Sequence, residues 1–445
     1  MTMKISSCDF SAFFLPSKRD VLLAAAWLTL TLLSCKTSQL EASDWPQFRG
    51  PDGQGHALTD GLPLRWSETE NVVWKVPVPG LGWSSPVIFE NQIWLTSSDE
   101  AGRSLSALCY DKLTGAQLHQ VEVLTTETPG PHHPQNGFAS PTPVLDDERV
   151  YVHFGPRGTA CLNREGKILW KNADYQYEAF QGAASSPILH GDLLILTCDG
   201  TDDQFLVALD KRTGEEVWKT QRQHLEEAAS RFPAESIMSK IAKMAYSTPL
   251  IQTINGVDQL VSSGADHVAA YDVSTGKELW WMPYVGFSQV ARPSYGNGLF
   301  YIVGSVAQDQ FCVFAVQPGT GQLTSNQLIW QRSKGVAHVP SPILVDKRLY
   351  IMDNSGVAAC LDALTGEEIW KERIGGNFDA SPIEAGGQIY YVSRDGVTTV
   401  LDAGPDFKVR STNELEGTFK ASPAVSSGAI FLRSDTHLYR LESRD

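Results

Sequence analysis

The sequence predicts an all-β fold, an eight-bladed β-propeller of four-stranded antiparallel blades, and three observations support this prediction. Prolines that open β-rich runs recur eight times, at a mean interval near 48 residues. A cassette of the form Asp-x-x-Thr-Gly followed by Trp recurs with the same spacing. The last repeat lacks a fourth strand, and a strand that could supply it precedes the first repeat. Regular repeats of this length are typical of closed ring architectures.

Each repeat is interpreted as one blade. A proline is tolerated at the first residue of a strand, where its missing backbone N–H breaks no ladder. In Asp-x-x-Thr-Gly, the Asp side chain can accept turn amides and Gly supplies the positive φ of a hairpin turn. Because one blade cannot bury both of its faces, the blades must pack around a ring. The eight prolines are Pro86, Pro141, Pro187, Pro249, Pro293, Pro342, Pro382 and Pro423.

The cassette is most complete in residues 209–218, and two further full copies occur at 271–280 and 361–370. Its Trp falls on the outermost strand, where a flat ring can dock between neighbouring blades. Degenerate copies place His119 and Trp330 in the Trp position.

The two ends of the chain are predicted to share a blade. The last repeat ends at residues 437–441 without an outer strand, whereas residues 71–76 read as an outer strand with no blade before them. We therefore expect this N-terminal strand to complete the last blade, with Trp74 in the vacant Trp position. One insertion, near residues 220–245, carries apolar residues at helical spacing and predicts a short amphipathic helix.

The first 34 residues are predicted to be a lipoprotein-type signal peptide. Residues 21–33 are apolar, follow Lys18 and Arg19, and are too short to cross the ~30 Å hydrocarbon core of a bilayer. The run that ends at Cys35 resembles a bacterial lipobox, which would make Cys35 the lipidated first residue. The alternative is an ordinary signal peptide cut elsewhere, for example before Ser43. We expect export to the periplasm or cell envelope, with the lipid as the only membrane attachment.

The remaining chain divides into an extended arm and the propeller. Residues 35–71 form the predicted arm, with Trp45 and Phe48 packed against the propeller, and residues 72–445 form the propeller itself. The 445 residues are 42% hydrophobic and carry a net charge of −15. That charge argues against a nucleic-acid partner, which would require a basic surface.

The cassettes resemble the pyrroloquinoline-quinone (PQQ)-type propeller repeat over residues 72–441. Two kinds of protein carry this repeat, namely quinoprotein dehydrogenases and non-catalytic envelope proteins such as the outer-membrane assembly lipoprotein BamB. Residues 44–51 and 138–143 also resemble uncharacterised propellers of planctomycete-type bacteria, from which no chemistry can be transferred.

The dehydrogenase resemblance implies a quinone held by a disulfide between adjacent cysteines, a stacking Trp and a calcium ion. This sequence has no adjacent cysteine pair. Three cysteines lie two residues before the turn, where other blades carry alanine, and are predicted to be buried apolar fillers; they are Cys109, Cys161 and Cys360. We therefore expect no catalysis, no cofactor and no metal, with PQQ and calcium kept as the alternative.

The candidate site comes from topology. Residues just before each inner-strand proline should ring one mouth of the central channel, where propellers commonly bind ligands. The predicted ligand-binding residues are Trp83, Phe138, Tyr246, Arg292, His338, Asp379 and Lys420, together with Ala184 as a small neighbour. The alternative is that these groups pair with one another, for instance Asp379 with Arg292 or Lys420, and close the channel.

The sequence thus favours a monomeric, non-catalytic binding or scaffold propeller of the cell envelope. Its partner would be an envelope protein, bound through loops or strand edges by β-augmentation, or a small-molecule or glycan ligand at the channel mouth. Two alternatives stay open, a PQQ-dependent dehydrogenase-like quinoprotein and a carbohydrate-binding or carbohydrate-processing propeller.

Overall fold

The computed structural model describes residues 44–59, 61–225, 230–307, 310–336 and 338–443. The predicted signal peptide and Cys35 lie outside these residues. The described chain forms eight antiparallel sheets that succeed one another along the sequence. The inner strand of the first sheet contacts the inner strands of the second and the eighth, so the sheets close into a ring. The predicted eight-bladed propeller is confirmed.

Blades 1 to 4 each run from an inner strand to an outer strand, in chain order. Blade 1 consists of Val87–Phe89, Gln92–Ser98, Ser104–Asp111 and Gln117–Thr125. Blade 2 consists of Val144–Leu145, Arg149–His153, Thr159–Asn163 and Ile168–Asn172. Blade 3 consists of Ile188–His190, Leu193–Asp199, Gln204–Asp210 and Glu216–Gln221. Blade 4 consists of Leu250–Ile254, Val257–Ser263, His267–Asp272 and Glu278–Pro283.

Blades 5 to 8 repeat the pattern. Blade 5 consists of Ser294–Gly296, Leu299–Ala307, Gln310–Val316 and Leu328–Arg332. Blade 6 consists of Ile343–Val345, Arg348–Met352, Val357–Asp362 and Glu368–Arg373. Blade 7 consists of Ile383–Ala385, Gln388–Val392, Val397–Asp402 and Val409–Glu414. Blade 8 consists of Ala424–Ser426, Ala429–Arg433, His437–Leu441 and the N-terminal strand Val72–Pro77.

The eighth blade joins the two ends of the chain. Strand Val72–Pro77 pairs antiparallel with His437–Leu441, and Trp74 lies opposite Arg440 in the register. The predicted closure by an N-terminal outer strand is therefore confirmed. Because this strand is held by hydrogen bonds to the C-terminal strand, the ring cannot open without unpairing them.

The Asp-x-x-Thr-Gly turn of one blade receives the Trp of the blade before it. The Nε1 of Trp218, in blade 3, donates a hydrogen bond of 2.9 Å to the carbonyl of Val273, in the turn of blade 4. Gly276 of that turn has a φ of +69°, and a Cβ added to it would lie 2.6 Å from the Trp218 ring. Glycine is thus required both by the backbone conformation and by the docked ring. The same contact is made by Trp74 with Gly115, Trp170 with Gly214, and Trp330 with Gly366.

The position opposite each docked ring is small. Cys109, Cys161 and Cys360 face His119, Trp170 and Trp370 across the third and outer strands of their blades. All three are buried and free, as are the other cysteines of the described chain. The interpretation of these three cysteines as apolar fillers is confirmed.

Four short described elements lie outside the four-stranded blades, and two of them are the 3-10 helix Gly155–Arg157 and the strand His56–Ala57, which pairs parallel with the inner strand of blade 7. Helix α1, Ile237–Ile241, occupies the predicted insertion between blades 3 and 4 and begins after Ser236, whose side chain accepts the Ser239 amide. Strand Gly321–Gln322, in the turn of blade 5, pairs parallel with residues 280 and 281 and adds a fifth strand to blade 4. The helix was predicted from its spacing, whereas the fifth strand was not. Within the described ranges, no helix has the length and apolar character needed to cross a bilayer.

The docking contact predicts how two glycines of blade 4 will respond to alanine. Gly276→Ala should lower the free energy of unfolding by about 1–2 kcal/mol for the positive φ and by a further ~1–3 kcal/mol for the clash with Trp218. Gly256 is the matched control, because its φ is +78° but a Cβ there meets nothing within 4 Å. Urea denaturation should therefore show a larger loss for Gly276→Ala than for Gly256→Ala, and equal losses would contradict the docking account.

Candidate functional site

A ring of hydroxyl groups joins the inner strands of neighbouring blades. The residue before the inner-strand proline is Ser or Thr in seven blades, and we call these seven side chains the hydroxyl belt. The backbone N–H at this position donates to the belt hydroxyl of the next blade at 2.9–3.0 Å, seven times around the ring. Blade 5 carries Arg292 there and interrupts the belt once. The belt residues are Ser85, Thr142, Ser186, Thr248, Ser341, Ser381 and Ser422.

The belt fixes which residues face the central axis. Side chains two residues apart in an extended segment point to the same side, so the residue two before each belt position also faces the axis. These eight residues, which we call the upper ring, are Trp83, Ser140, Ala184, Tyr246, Val290, Val339, Asp379 and Lys420. In blade 2 the belt residue is Thr142, so the proline that opens the inner strand Val144–Leu145 is Pro143. The prediction that Pro141 opens this strand was wrong.

The upper ring and the belt enclose a cavity of about 430 Å³ at the face where the chain enters the inner strands. Of the residues proposed from the sequence, Trp83, Tyr246, His338, Asp379 and Lys420 line this cavity, as does Ala184. Phe138 and Arg292 do not. Residues that sequence reasoning missed are Phe48, His133, Gln135, Asn136 and Gln181, all from the arm or from loops with no repeat pattern.

Phe138 belongs to the packing between blades 1 and 2. Its ring is buried and lies 4.3 Å from the ring of His132 and 4.9 Å from the guanidinium carbon of Arg157. The prediction placed Phe138 two residues out of register. Blade 2 contains both Ser140-Pro141 and Thr142-Pro143, and the belt hydroxyl belongs to Thr142. The position that faces the cavity is Ser140.

Arg292 stands in the belt but turns away from the cavity. Its Nε donates to the carbonyl of Pro249 at 3.1 Å, and its Nη1 donates to the carbonyl of Phe48 at 2.6 Å. Burial and, to a smaller extent, the nearby charge of Arg49 lower the pKa of Arg292 to about 9. The side chain therefore anchors the N-terminal arm and does not line the cavity.

The arm closes the channel at the end opposite the cavity. Trp45 is buried and bridges Ile88 in the inner strand of blade 1, and His56–Ala57 pairs parallel with the inner strand of blade 7. Between them, Arg49 is buried and donates to the carbonyls of Pro342 at 3.1 Å and Pro382 at 3.3 Å. The expected packing of Trp45 and Phe48 against the propeller is found, but the arm enters the channel rather than lying on the outside.

The charged groups of the cavity have defined contacts. Asp379 forms a two-point ion pair with Arg394, at 2.9 and 2.8 Å, and not with Arg292 or Lys420. The Nζ of Lys420 lies 4.7 Å from the centre of the Trp83 ring and donates to the carbonyl of Gln135 at 2.8 Å. Burial lowers the pKa of Lys420 from its usual value.

Two aromatic side chains of the cavity are held by hydrogen bonds. The Tyr246 hydroxyl donates to Oε1 of Gln181 at 2.6 Å, and burial raises the pKa of this hydroxyl. The Nε2 of His338 lies 2.5 Å from the carbonyl of Ser288. These contacts fix the walls and leave the space between them open.

Comparisons with known proteins agree with the fold. The sequence profile of the family described as "Outer membrane protein assembly factor BamB" matches residues 64–173, 106–251 and 311–406. The chain therefore belongs to this family of PQQ-type propellers.

Individual relatives share only part of the sequence. The chain is 28% identical over 110 residues to BamB of Burkholderia pseudomallei, which is 24% of this chain and 28% of that protein. It is 27% identical over 150 residues to methanol dehydrogenase [cytochrome c] subunit 1 of Methylobacterium organophilum, which is 31% of this chain and 22% of that protein. The matches thus span about a quarter of the length of these curated relatives.

Solved structures show the same fold at low identity. BamB from Moraxella catarrhalis matches 83% of this chain and 99% of its own, with a TM-score of 0.55 and 13% identity. Quinohemoprotein alcohol dehydrogenase from Comamonas testosteroni matches 95% of this chain and 85% of its own, with a TM-score of 0.63 and 11% identity. An assembly factor and a dehydrogenase therefore share this ring, and the fold alone does not indicate a function.

The buried position of Arg49 predicts a large effect of its removal. Arg49→Met should lower the free energy of unfolding by about 2–5 kcal/mol, because carbonyl oxygens of the arm and of blades 6 and 7 lose charged donors. Arg212→Met is the control, since this side chain is 62% exposed and, among the residues that the structure describes, forms its ion pair with the exposed Asp192. A surface pair of this kind is worth about 0–1 kcal/mol. Chemical denaturation that shows similar losses in both variants would contradict the role assigned to Arg49.

Proposed function

We propose that this protein is a non-catalytic binding propeller of the bacterial cell envelope, and that the cavity inside the upper ring takes a ligand. The single observation that carries this proposal is the shape of the channel. It is closed at one end by the arm and open at the other, where about 430 Å³ remain between fixed aromatic and polar walls. Concave sites with a few convergent polar groups are the usual location of ligand binding.

The lining of the cavity does not fit a calcium-bound quinone. The carboxylate that the described lining residues supply is Asp379, and both of its oxygens are held by Arg394. The described cysteines lie buried inside the blades and away from the lining. Calcium requires several oxygen ligands with carboxylates among them. We therefore propose binding without quinone chemistry, and derive no catalytic step.

Export to the envelope is part of the proposal. The similarity to BamB, an outer membrane protein assembly factor, supports an exported protein, and the sequence of residues 1–35 supports a signal peptide followed by lipidation at Cys35.

A second candidate function is the capture of a protein segment at an outer strand. Blade 4 supports it, because its outer strand already pairs with a further strand, Gly321–Gln322 of the same chain. Other outer strands expose aliphatic side chains beside an edge of this kind, and strand addition to such an edge is a common mode of peptide recognition. These side chains are Leu118, Leu169, Val217, Ile329 and Ile369.

Filling the cavity should abolish ligand binding. Ala184→Trp places an indole in the cavity at a position whose methyl group lines it, and no side-chain hydrogen bond is lost. After incubation with a small-molecule extract of envelopes and desalting, native mass spectrometry should show a bound mass on the wild-type protein and none on Ala184→Trp. Leu118→Trp, at a position that is 44% exposed on blade 1, should bind as the wild type does. No bound mass on any protein, or the same mass on all three, would refute the proposed site.

Capture of a protein segment makes a separate prediction. A photo-crosslinking amino acid at Val217, on the outer strand of blade 3, should form a discrete adduct with an envelope protein in cells. The same amino acid at Leu58, which is 73% exposed on the arm, serves as the control and should form none. Equal crosslinking at both positions, or none at Val217 and at the other exposed outer-strand positions, would contradict strand pairing.

A further inference from the structure

Most hydroxyl groups of the belt accept a hydrogen bond but do not donate their own proton in the described hydrogen bonds. A Ser or Thr hydroxyl has one proton to donate and two lone pairs to accept with. In the belt each hydroxyl accepts a backbone N–H, and Ser381 also donates to Ser341 at 3.1 Å. Across the described hydrogen bonds, the other six hydroxyls accept and do not donate. These six line the cavity and are Ser85, Thr142, Ser186, Thr248, Ser341 and Ser422.

The floor of the cavity is therefore a circle of hydroxyl donors. Their acceptor capacity is partly used by the amides that close the ring, and their protons can turn towards the open space. A ligand group that accepts several hydrogen bonds at once would satisfy them, whereas a donor group would not. Carboxylate oxygens, with about four acceptor positions in a compact group, meet this requirement.

The charge beneath the floor points in the same direction. The guanidinium of Arg292 donates to the carbonyl of Phe48, which itself lines the cavity. Arg49 lies close enough to lower the pKa of Arg292, and both are held by backbone carbonyls rather than by a described carboxylate in an ion pair. Burial lowers their pKa values to about 10 for Arg49 and about 9 for Arg292, so both stay cationic at neutral pH.

The rim adds a further cation and no uncompensated anion. Lys420 lies over the ring of Trp83, whereas the charge of Asp379 is balanced by Arg394. Arg49 and Asp52 act electrostatically on Arg292, and Asp379 and Arg394 act on Lys420. These six groups together carry a formal charge of +2, in a chain whose net charge is −15. A local potential opposite in sign to the whole protein concentrates anions at this site.

The walls are apolar between these groups. Val290 and Val339 line the cavity together with the aromatic rings of Phe48, Trp83 and Tyr246. A purely inorganic anion would leave these surfaces without a partner, whereas an organic acid would bury its body against them.

We propose that the cavity is a receptor for small organic carboxylates, which place the carboxylate on the hydroxyl belt and an apolar or aromatic body against Trp83 and Phe48. This inference rests on the proposed function, because it specifies the ligand class of the same cavity. The ligand is recognised through the donor ring and the buried cations, and no covalent step is involved.

Three probes of one shape test this inference. Phenylacetate, phenylacetamide and phenethylamine carry the same ring with a negative, a neutral and a positive end group. Ligand-observed NMR titration of the full mature protein should give a dissociation constant for phenylacetate at least about tenfold lower than for phenylacetamide, since charged hydrogen bonds are the stronger ones. Phenethylamine should show no saturable binding.

Two variants locate the binding. Lys420→Met should weaken phenylacetate binding about tenfold and bring it closer to that of the amide. Lys219→Met is the matched control, because Lys219 also lies over an aromatic ring, 3.8 Å from the centre of Phe205, but on the outside of blade 3. Thr142→Val, which removes one belt hydroxyl, should weaken the carboxylate and leave the amide nearly unchanged, provided that its thermal unfolding shows a folded protein. Should it unfold, Ser422→Ala takes its place.

The outcomes separate the two proposals. Equal binding of phenylacetate and phenylacetamide, lost in Ala184→Trp, would overturn the preference for anions and leave the ligand-binding cavity intact. No saturable binding of phenylacetate would also overturn the inference, and the native mass spectrometry of Ala184→Trp would then decide independently whether the cavity binds any ligand. Binding that is unaffected by Lys420→Met and by the belt variant would place the carboxylate elsewhere and refute the proposal.

Discussion

The hydrogen bonds of the hydroxyl belt are the constraint on which the rest of the structure depends. Seven of the eight blades donate one backbone amide to the Ser or Thr of the next blade, at 2.9–3.0 Å, and the circle runs from blade 8 back to blade 1. Because side chains alternate along an extended segment, this single contact fixes which residues face the axis in every blade. The cavity is the space that remains above the belt, and the arm occupies the space below it.

The interruption of the belt in blade 5 explains how the arm is attached to the ring. At the one position without a hydroxyl, Arg292 reaches downward and holds the carbonyl of Phe48, so the arm is tied to the ring where the ring lacks a link. Arg49 then ties the arm to blades 6 and 7. Arg49 and Arg292 are thereby buried on the side of the hydroxyl belt opposite the cavity. The same two side chains that hold the arm in the channel therefore place positive charge next to the cavity.

Most of the fold could be predicted from the sequence, because the cassette repeats. The strand-opening proline recurs eight times, so a blade with a degenerate cassette can still be assigned from the spacing of its neighbours. The strand at residues 71–76, which has no blade before it, indicates how the ring closes. Register is harder to predict where a blade has two prolines. The Ser-Pro pattern indicates Pro141 and therefore Phe138, whereas the belt hydroxyl of Thr142 shows that Pro143 opens the strand and that Ser140 faces the cavity. Arg292 was misplaced for a similar reason, since blade 5 has no Ser or Thr to mark the belt.

The cavity itself was only partly predictable. Upper-ring residues such as Trp83, Tyr246 and Lys420 follow from the repeat, whereas Arg394, which holds Asp379, lies fifteen residues further along in a turn of the same blade. Phe48 and Arg49 belong to a segment without repeats, and no periodic signal places them inside the channel. A crystal structure of the protein with phenylacetate would test the central claim most directly. We expect the carboxylate within hydrogen-bonding distance of at least two belt hydroxyls and the ring against Trp83; a ligand bound only on the outer surface would contradict carboxylate recognition in the cavity.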